Sequence, residues 1–211
     1  MNTNHDADVL RDLPAVTEAD LAALHARLAE RAAADGVLDV AYRTLDTPVG
    51  TLLLAATEAG LVRVAFPIEG HDEVLQALAA QISPRVLRAP ARLDAASREI
   101  DEYFAGRRRS FDLPLDYSLS SGFRREVLTR LPGIGYGTTA SYATVAATVG
   151  SPRAFRAVGT ACATNPLPIV VPCHRVVGKD GALTGYAGGL KRKRYLLELE
   201  EPAPAVAGKL F

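Results

Sequence analysis

Cysteine, methionine and tryptophan are scarce in this 211-residue chain, which has two cysteines, one methionine and no tryptophan. The four histidines are scattered and, like the cysteines, lack the spacing of metal ligands, so no metal site is predicted. No apolar run approaches the roughly 20 residues that span a bilayer, which predicts no membrane partner. The N-terminal stretch MNTNHDADVLRD is polar and acidic, unlike a secretory signal. We therefore expect a cytoplasmic protein in a reducing setting.

The net charge is zero, but the charges are distributed unevenly along the chain. Between Tyr117 and Leu197 there are 11 Lys or Arg residues and two acidic residues, so this part carries +9 and the remainder −9. Such asymmetry is typical of a chain whose basic part binds nucleic acid or another polyanion. A solvated basic face has the same composition, and charge alone does not separate the two interpretations.

Residues 1–36 are predicted to be an N-terminal extension that is partly helical. Thr17 and Asp20 have the spacing of a capping box, in which two side chains satisfy backbone N–H groups at the start of a helix. The helix is expected to end at Gly36. Its apolar face is predicted from three leucines at helical spacing, Leu21, Leu24 and Leu28.

Residues 37–116 are predicted to form an α/β domain. Short β-rich runs between positions 38 and 66 are separated by turn residues, which predicts a small antiparallel meander. Helices are expected over Asp72–Gln81 and Asp94–Ala105, with Gly106 directly after the second one. The stretch RRRSFDLPLDYS, which is interrupted by proline, predicts a linker to the next domain.

Residues 117–203 are predicted to form a compact helical domain, and residues 204–211 a flexible tail. The first helix of this domain is amphipathic and closes at Pro132-Gly133. The second has Ser141 as its N-cap and ends at Gly150. A third helix follows at once, and two helices joined by a tight turn are the outline of a helix-turn-helix.

The third helix has an unusual composition. It is predicted to start with Ser151 as its cap and Pro152 in its first position, and to stop at Asn165-Pro166. Its only long polar side chains are Arg153 and Arg156. The others are mostly small: Ala154, Ala157, Gly159, Ala161 and Ala163. A helix of this kind can approach another surface closely, which suits either tight helix packing or DNA, and the basic surroundings favour DNA.

Cys173 lies between an apolar run that ends at Pro172 and two residues that can carry positive charge, His174 and Arg175. Cationic neighbours favour the thiolate, which is a strong nucleophile. The alternative is an inert, buried cysteine. In a regular strand, neighbouring side chains point to opposite faces, so contact with the histidine requires an irregular turn, which the proline favours. We expect the second cysteine, Cys162, to serve in packing.

The segment NPLPIVVPCHRVVGKDGALTGYAGGLKRKRYLLELE resembles the O6-alkylguanine-DNA alkyltransferases, the methylated-DNA–protein-cysteine methyltransferases. The signature of that family is Pro-Cys-His-Arg-Val, here Pro172 to Val176. Three further motifs occur in the expected order: YGTTASYATVAATVG, RAVGTA and Asn165-Pro166. The resemblance is close from about Ser118 to Glu200 and looser over the meander. It implies an α+β fold, with a ribonuclease-H-like N-terminal domain and a C-terminal domain that contains the helix-turn-helix.

The resemblance implies a stoichiometric DNA repair activity. Cys173 would take the alkyl group from O6-alkylguanine, with a minor contribution from O4-methylthymine, and each molecule would act once. His174 would act as base through a water molecule, and Glu200 would orient and charge-stabilise it. Asn165 would brace the turn before the cysteine, although it is also a helix stop before proline. No cofactor is implied, and we expect a monomer whose partner is double-stranded DNA carrying O6-alkylguanine.

The same resemblance implies roles in DNA binding and base flipping. Tyr142 would contact and rotate the phosphate of the target nucleotide, unless it is a core aromatic. Arg156 would enter the base stack in place of the flipped base, the alternative being a surface charge or a phosphate contact. The third helix would lie in the minor groove. Its predicted DNA-facing residues include Arg153, Ala157 and Gly159.

The resemblance also implies a substrate pocket. Tyr186, Ala187 and Gly188 would form a loop over the guanine, with backbone N–H groups that bond O6, although a Gly-rich turn needs no such role. Lys193 would help to hold the loop, and Val176 would line the pocket. The chain departs from the family in two places. Gly135 stands where many members have proline, and Ala187 stands where some have a serine that reaches O6.

Two other functions are compatible with parts of the sequence. A DNA-binding sensor would grip alkylated bases without removing them, but related sensors lack the acceptor cysteine that this chain has. A cysteine hydrolase would need a site for repeated turnover, and nothing in the sequence indicates an acyl substrate. The presence of Cys173 within the family signature therefore favours alkyl transfer.

Overall fold

The computed structural model describes residues 17–201, so positions 1–16 of the predicted extension and the predicted tail over 204–211 lie outside the described residues. Strands and α-helices are numbered here in chain order. The strands are β1 Val40–Leu45, β2 Leu52–Thr57, β3 Gly60–Ala65, β4 Val86–Arg88, β5 Ala140–Ser141 and β6 Val176–Val177. The α-helices are α1 Glu18–Ala34, α2 His71–Gln81, α3 Asp94–Phe104, α4 Gly122–Arg130, α5 Tyr142–Thr148, α6 Phe155–Ala163 and α7 Leu190–Glu200.

The main sheet has four strands in the order β3-β2-β1-β4. The predicted meander forms its antiparallel part, in which β1 pairs with β2 and β2 with β3. The fourth strand, β4, was not predicted, and it pairs in parallel with β1. Its three residues are too few for the alternation that identifies a strand in sequence. The predicted α+β class is confirmed, but the sheet is mixed rather than purely antiparallel.

Both faces of the sheet are covered. Leu53 and Ala55 of β2 pack on one face against α2, whereas Leu52 and Leu54 join the larger core on the other face. Successive side chains of a strand alternate between the two faces, so a strand covered on both sides is apolar throughout. This accounts for the run LLLAA, whose members are all buried.

Helix α1 begins as predicted, with the Thr17 and Asp20 side chains forming a capping box. It ends at Ala34, followed by Gly36 at a φ of 67°. The helix packs through Ala29 and Ala32, which are the buried residues of its inner face. The residues of the predicted leucine stripe are not buried, since Leu21, Leu24 and Leu28 are about half exposed.

The prediction for the start of the third C-terminal helix was wrong. The chain makes a turn over residues 151–154, in which Ala154 N–H donates to the Ser151 carbonyl at 2.8 Å, and α6 begins only at Phe155. Ser151 is therefore not its cap, and Arg153 lies in the turn rather than on the helix. The dipeptide Ser-Pro suits a tight turn as well as a helix start, which is why the sequence did not separate the two.

One continuous core joins the N-terminal half, residues 17–117, to the C-terminal half, residues 118–201. It contains members of both, such as Phe66, Tyr103 and Leu196. The segment predicted as a linker packs against the sheet: Leu61 N–H donates to the Pro114 carbonyl at 2.8 Å. Gly60 permits this approach, because a Cβ there would lie 2.2 Å from the Pro114 carbonyl oxygen.

Candidate active site

A strained turn positions Cys173. Ile169 has a φ of 75°, a conformation that is costly for a β-branched residue, and it is fully buried. Asn165 holds both sides of this turn. Its Oδ1 accepts from Leu167 N–H at 2.9 Å, and its Nδ2 donates to the Val171 carbonyl at 2.9 Å and to Cys173 Sγ at 3.1 Å. One side chain thus both braces the turn and contacts the sulfur.

The thiol of Cys173 is protonated at neutral pH in this conformation. Its side chain is 1% exposed, and burial raises its pKa to about 11, against the lowering effects of the Asn165 hydrogen bond and the charge of Lys193. Of the two interpretations left open by the sequence, the buried thiol is therefore favoured over a thiolate held by His174 and Arg175. The Arg175 guanidinium bonds a carboxylate instead of the sulfur, and burial lowers the pKa of His174. For Cys173 to act as a nucleophile, this proton must therefore be removed.

Glu200 is the centre of a buried polar cluster. Its carboxylate accepts from Arg175 Nε at 2.8 Å, from Arg175 Nη2 at 3.0 Å and from the Tyr103 hydroxyl at 2.7 Å, and it bonds His174 Nε2 at 2.8 Å. Burial by itself would raise the pKa of Glu200, but the hydrogen bonds from His174 and Arg175 lower it to about 2. The carboxylate therefore stays ionised throughout the physiological range.

The ionised carboxylate determines which nitrogen of His174 is free. Because a carboxylate only accepts hydrogen bonds, His174 Nε2 must carry the proton that it shares with Glu200. In the neutral ring, Nδ1 then has a lone pair, and among residues 17–201 nothing hydrogen-bonds this buried atom. The Cys173–Arg175 segment is a 3₁₀ turn, the irregular backbone that the proline predicted. His174 is thus arranged as a neutral base with Nδ1 as the acceptor.

Lys193 holds the polypeptide that follows the cysteine. Its buried ammonium donates to the Val176 carbonyl at 2.6 Å and to the Thr184 carbonyl at 2.9 Å. The Thr184 hydroxyl donates in turn to the Tyr142 hydroxyl at 3.0 Å. Tyr142 is half-buried at the start of α5, so the structure brings this predicted DNA contact next to the predicted loop over the base, which begins at Tyr186.

Helix α6 presents an exposed face of small and basic residues. Arg156 and Ala157 are exposed, and Gly159 lies beneath the Tyr142 ring, whose nearest atom would be 3.9 Å from a Cβ there. Phe155 was missed in the sequence interpretation. It is 47% exposed, and the Arg156 guanidinium lies 5.9 Å from the centre of its ring. An exposed aromatic beside a predicted DNA-facing arginine is compatible with contact to bases.

Two functional contacts had no signal in the sequence. Tyr103 lies 97 positions before Glu200, yet its hydroxyl donates a hydrogen bond to the Glu200 carboxylate. Arg175 belongs to the signature, but only the fold shows that it pairs with Glu200. A long-range hydrogen bond leaves no periodicity or spacing in a sequence, so neither partner was predictable from a single chain.

Residues 17–201 contain neither a cluster of metal ligands nor a membrane-spanning helix. Within that range no three His, Cys, Asp or Glu side chains are grouped so that they could hold a metal ion. Both cysteines are free and buried. No helix of the described range is long and apolar enough to cross a bilayer.

Comparison with known proteins identifies two matching family models. Residues 40–117 match the 6-O-methylguanine DNA methyltransferase, ribonuclease-like domain, and residues 122–202 match the 6-O-methylguanine DNA methyltransferase, DNA binding domain. Together they contain the main sheet, the helix-turn-helix and the cysteine site. Helix α1 precedes both matched ranges.

Relatives of known identity match over nearly their whole length. A methylated-DNA–protein-cysteine methyltransferase of Methanosarcina barkeri is 40% identical over 160 residues, which cover 76% of this chain and 96% of that protein. The constitutive methylated-DNA–protein-cysteine methyltransferase of Bacillus subtilis is 42% identical over 163 residues, covering 75% of this chain and 94% of that protein.

Solved structures show the same similarity. The Mycobacterium tuberculosis O6-methylguanine methyltransferase aligns with a TM-score of 0.68 at 40% identity, covering 79% of this chain and 96% of the other. The crystal structure of M. tuberculosis OGT in complex with DNA aligns with a TM-score of 0.64 at 39% identity, covering 76% and 92%. The chain therefore belongs to the methylated-DNA–protein-cysteine methyltransferase family.

Proposed function

We propose that Cys173 is the residue through which this chain performs the reaction of its family. The protein binds DNA and repairs it by transferring an alkyl group from O6-alkylguanine to one of its own cysteines. The observation that supports the assignment is the contact set of one thiol: Cys173 is bonded by Asn165 and lies in the same 3₁₀ turn as His174, which is a neutral base fixed by Glu200. Cys162, the other candidate, lies on α6 without such partners.

The transfer is a single displacement. Cys173 Sγ forms a bond to the alkyl carbon while the bond from that carbon to guanine O6 breaks. The thiol proton passes to His174 Nδ1, through a water molecule, and the resulting imidazolium is stabilised by the Glu200 carboxylate. The electron pair of the broken bond stays on the base, which takes up a proton and becomes guanine. The product at Cys173 is a neutral thioether, which has no ionisable proton and is a poor leaving group, so each molecule reacts once.

The alkylated base reaches this site by leaving the duplex. Cys173 is buried, and an atom in the base stack cannot approach its sulfur, so the nucleotide must rotate out. In our proposal Tyr142 contacts the phosphate of that nucleotide, Arg156 fills the gap in the stack, and α6 lies in the minor groove. Backbone N–H groups of the loop at Tyr186–Gly188 bond O6 as negative charge develops there. We further propose that the protein acts as a monomer in the cytoplasm.

Intact-mass analysis with an O6-methylguanine oligonucleotide tests the assignment. We expect the mass of one methyl group to be added once, and peptide mapping to place it on Cys173. Cys162→Ala should react like the unmodified protein, whereas Cys173→Ala should gain no mass. Methyl on Cys162, or repeated turnover of a molar excess of DNA, would overturn the proposed mechanism.

A further inference from the structure

Arg192 connects the N-terminal half of the molecule to the loop beside the acceptor cysteine. It lies on α7, next to Lys193, but its side chain points toward the sheet. Its Nε donates to the Val49 carbonyl at 2.6 Å, in the turn between β1 and β2. Its Nη1 donates to the Gly188 carbonyl at 2.9 Å, within the predicted loop over the guanine. One guanidinium therefore bonds two segments that are 139 positions apart in the sequence.

Phe66 forms the surface on which this loop rests. The Arg192 guanidinium lies 5.4 Å from the centre of its ring, and the Tyr186 ring packs against it at a centroid distance of 5.7 Å. The loop approaches so closely that a Cβ on Gly188 would lie 2.7 Å from Phe66 Cε2, well inside contact distance. Phe66 is fully buried directly after β3, so it has little freedom to move aside.

We propose that Phe66 and Arg192 are positioning residues for alkyl transfer, which set how closely the loop Tyr186–Gly188 covers the alkylated base. This inference rests on the proposed function of Cys173. The two side chains touch neither the sulfur of Cys173 nor the imidazole of His174. They act by holding the loop at a fixed distance from the reacting carbon. A small alkyl group needs the close position, since it reacts only when the base is held against the cysteine. A bulky alkyl group fills the pocket even when the loop is further away, so its rate of transfer depends less on the loop position.

Arg192→Met tests the guanidinium contacts, with Arg194→Met as the matched control. Arg194 lies on the same helix and is exposed, so the control removes the same charge without touching the loop. We would measure the rate of alkyl transfer from two oligonucleotides of one sequence, carrying O6-methylguanine or O6-benzylguanine. Losing two charge-assisted hydrogen bonds should slow methyl transfer about tenfold and benzyl transfer less, so that the preference for methyl falls several-fold. A variant that was only less folded would lose both rates equally.

Gly188→Ala tests the contact with Phe66, with Gly185→Ala as the control. Neither glycine has a positive φ, so alanine is compatible with both backbones, and a Cβ on Gly185 meets nothing within 4 Å. We expect Gly188→Ala to lower the methyl preference, and the second change Phe66→Val to restore it in part by making room for the new methyl group. Suppression by a residue of the other half would not follow from a general loss of stability.

The outcomes separate this inference from the proposed function. If the unmodified protein takes no methyl group from the oligonucleotide, the proposed function fails. If it does react, but Arg192→Met and Arg194→Met have the same ratio of methyl to benzyl rates, the positioning role of Arg192 is wrong. If Phe66→Val leaves the Gly188→Ala defect unchanged or deepens it, the role of Phe66 is wrong.

Discussion

The two halves of the molecule contribute to the site in different ways. The C-terminal half contains Cys173, His174, Glu200 and the exposed face of α6, together with a net positive charge. The N-terminal half contributes one hydrogen bond to the carboxylate, from Tyr103, the Phe66 ring against the loop and the Val49 carbonyl that accepts from Arg192. In our proposal, therefore, the N-terminal half positions the site and the C-terminal half carries the reacting groups.

This division teaches that a reaction site can be local in sequence and still depend on distant residues. Asn165, Cys173, His174 and Glu200 lie within 36 positions of one another. The carboxylate and the loop are nevertheless held from outside this segment, through a core that both halves share. Changes in the C-terminal half should therefore alter rates directly, and changes in the N-terminal half should act through stability or geometry.

Glu200→Gln should have the largest effect. The amide leaves the buried Arg175 charge without its partner and cannot stabilise the imidazolium, so we expect a loss of transfer rate of about 10²-fold or more. Breaking a buried ion pair costs about 3–5 kcal/mol, which should lower the Tm by on the order of 10 °C. Calorimetry and single-turnover kinetics measure the two effects. Glu198→Gln, an exposed change on the same helix, should show neither.

The pH dependence of stability sharpens the same prediction. The pKa of Glu200 is about 2 in the folded protein and lies below its unfolded value, so its contribution to stability is complete above the unfolded pKa. It is lost as the pH falls from about 4 toward 2. Denaturant titrations over this pH range should show that the free energy of unfolding falls less on acidification for Glu200→Gln than for the unmodified protein. Parallel curves would mean that the carboxylate is not held in this cluster.

Arg156→Ala should separate DNA-dependent from DNA-independent steps within the C-terminal half. Without a side chain to fill the stack, extrusion of the base exposes an unstacking cost of a few kcal/mol, which corresponds to about a hundredfold slower repair in duplex DNA. Reaction with free O6-benzylguanine should change little, because no base has to leave a stack. An equal loss on both substrates would place Arg156 in the pocket or the fold instead.

Tyr103→Phe probes the contribution of the N-terminal half to the carboxylate. It removes one hydrogen bond to a charged acceptor, worth about 1.5–3 kcal/mol of unfolding free energy. We expect a reduced midpoint in urea and an unchanged affinity for undamaged duplex DNA. Tyr117→Phe is the matched control, because the Tyr117 hydroxyl makes no hydrogen bond in the part of the chain that the structure describes. Equal destabilisation by both changes would contradict the assigned role.

Removal of residues 1–36 should have the smallest effect on DNA. The net positive charge lies in the other half, so affinity for duplex DNA should stay within a few fold, whereas Arg153→Glu should weaken it. Affinity should fall with salt at a log–log slope of about −0.9 per phosphate contact. We expect a shallow slope because Arg156 is the one basic residue of α6 and is proposed to enter the base stack. Salt titrations followed by fluorescence anisotropy, with the full-length chain and with the truncated chain, measure the affinity and its slope. A collapse of binding on truncation would place the DNA surface in the wrong half.

Local chemistry could be predicted from the sequence because it depends on neighbours in the chain. The capping box at Thr17, the N-cap at Ser141 and the left-handed Gly106 after α3 all satisfy backbone groups within a few positions, and the structure contains each of them. The signature around Cys173 is local in the same sense, which is why the family was recognisable from one chain.

Only the tertiary structure decided the protonation of the site and the partners of its residues. Sequence adjacency left both a thiolate beside two cations and a buried thiol possible. The fold turns Arg175 toward Glu200 and buries the sulfur, which raises the pKa of Cys173 to about 11. The contacts of Tyr103 and Phe66 arise where the two halves close on one core. Burial and long-range hydrogen bonds depend on which surfaces meet, and no pattern within a single segment records that.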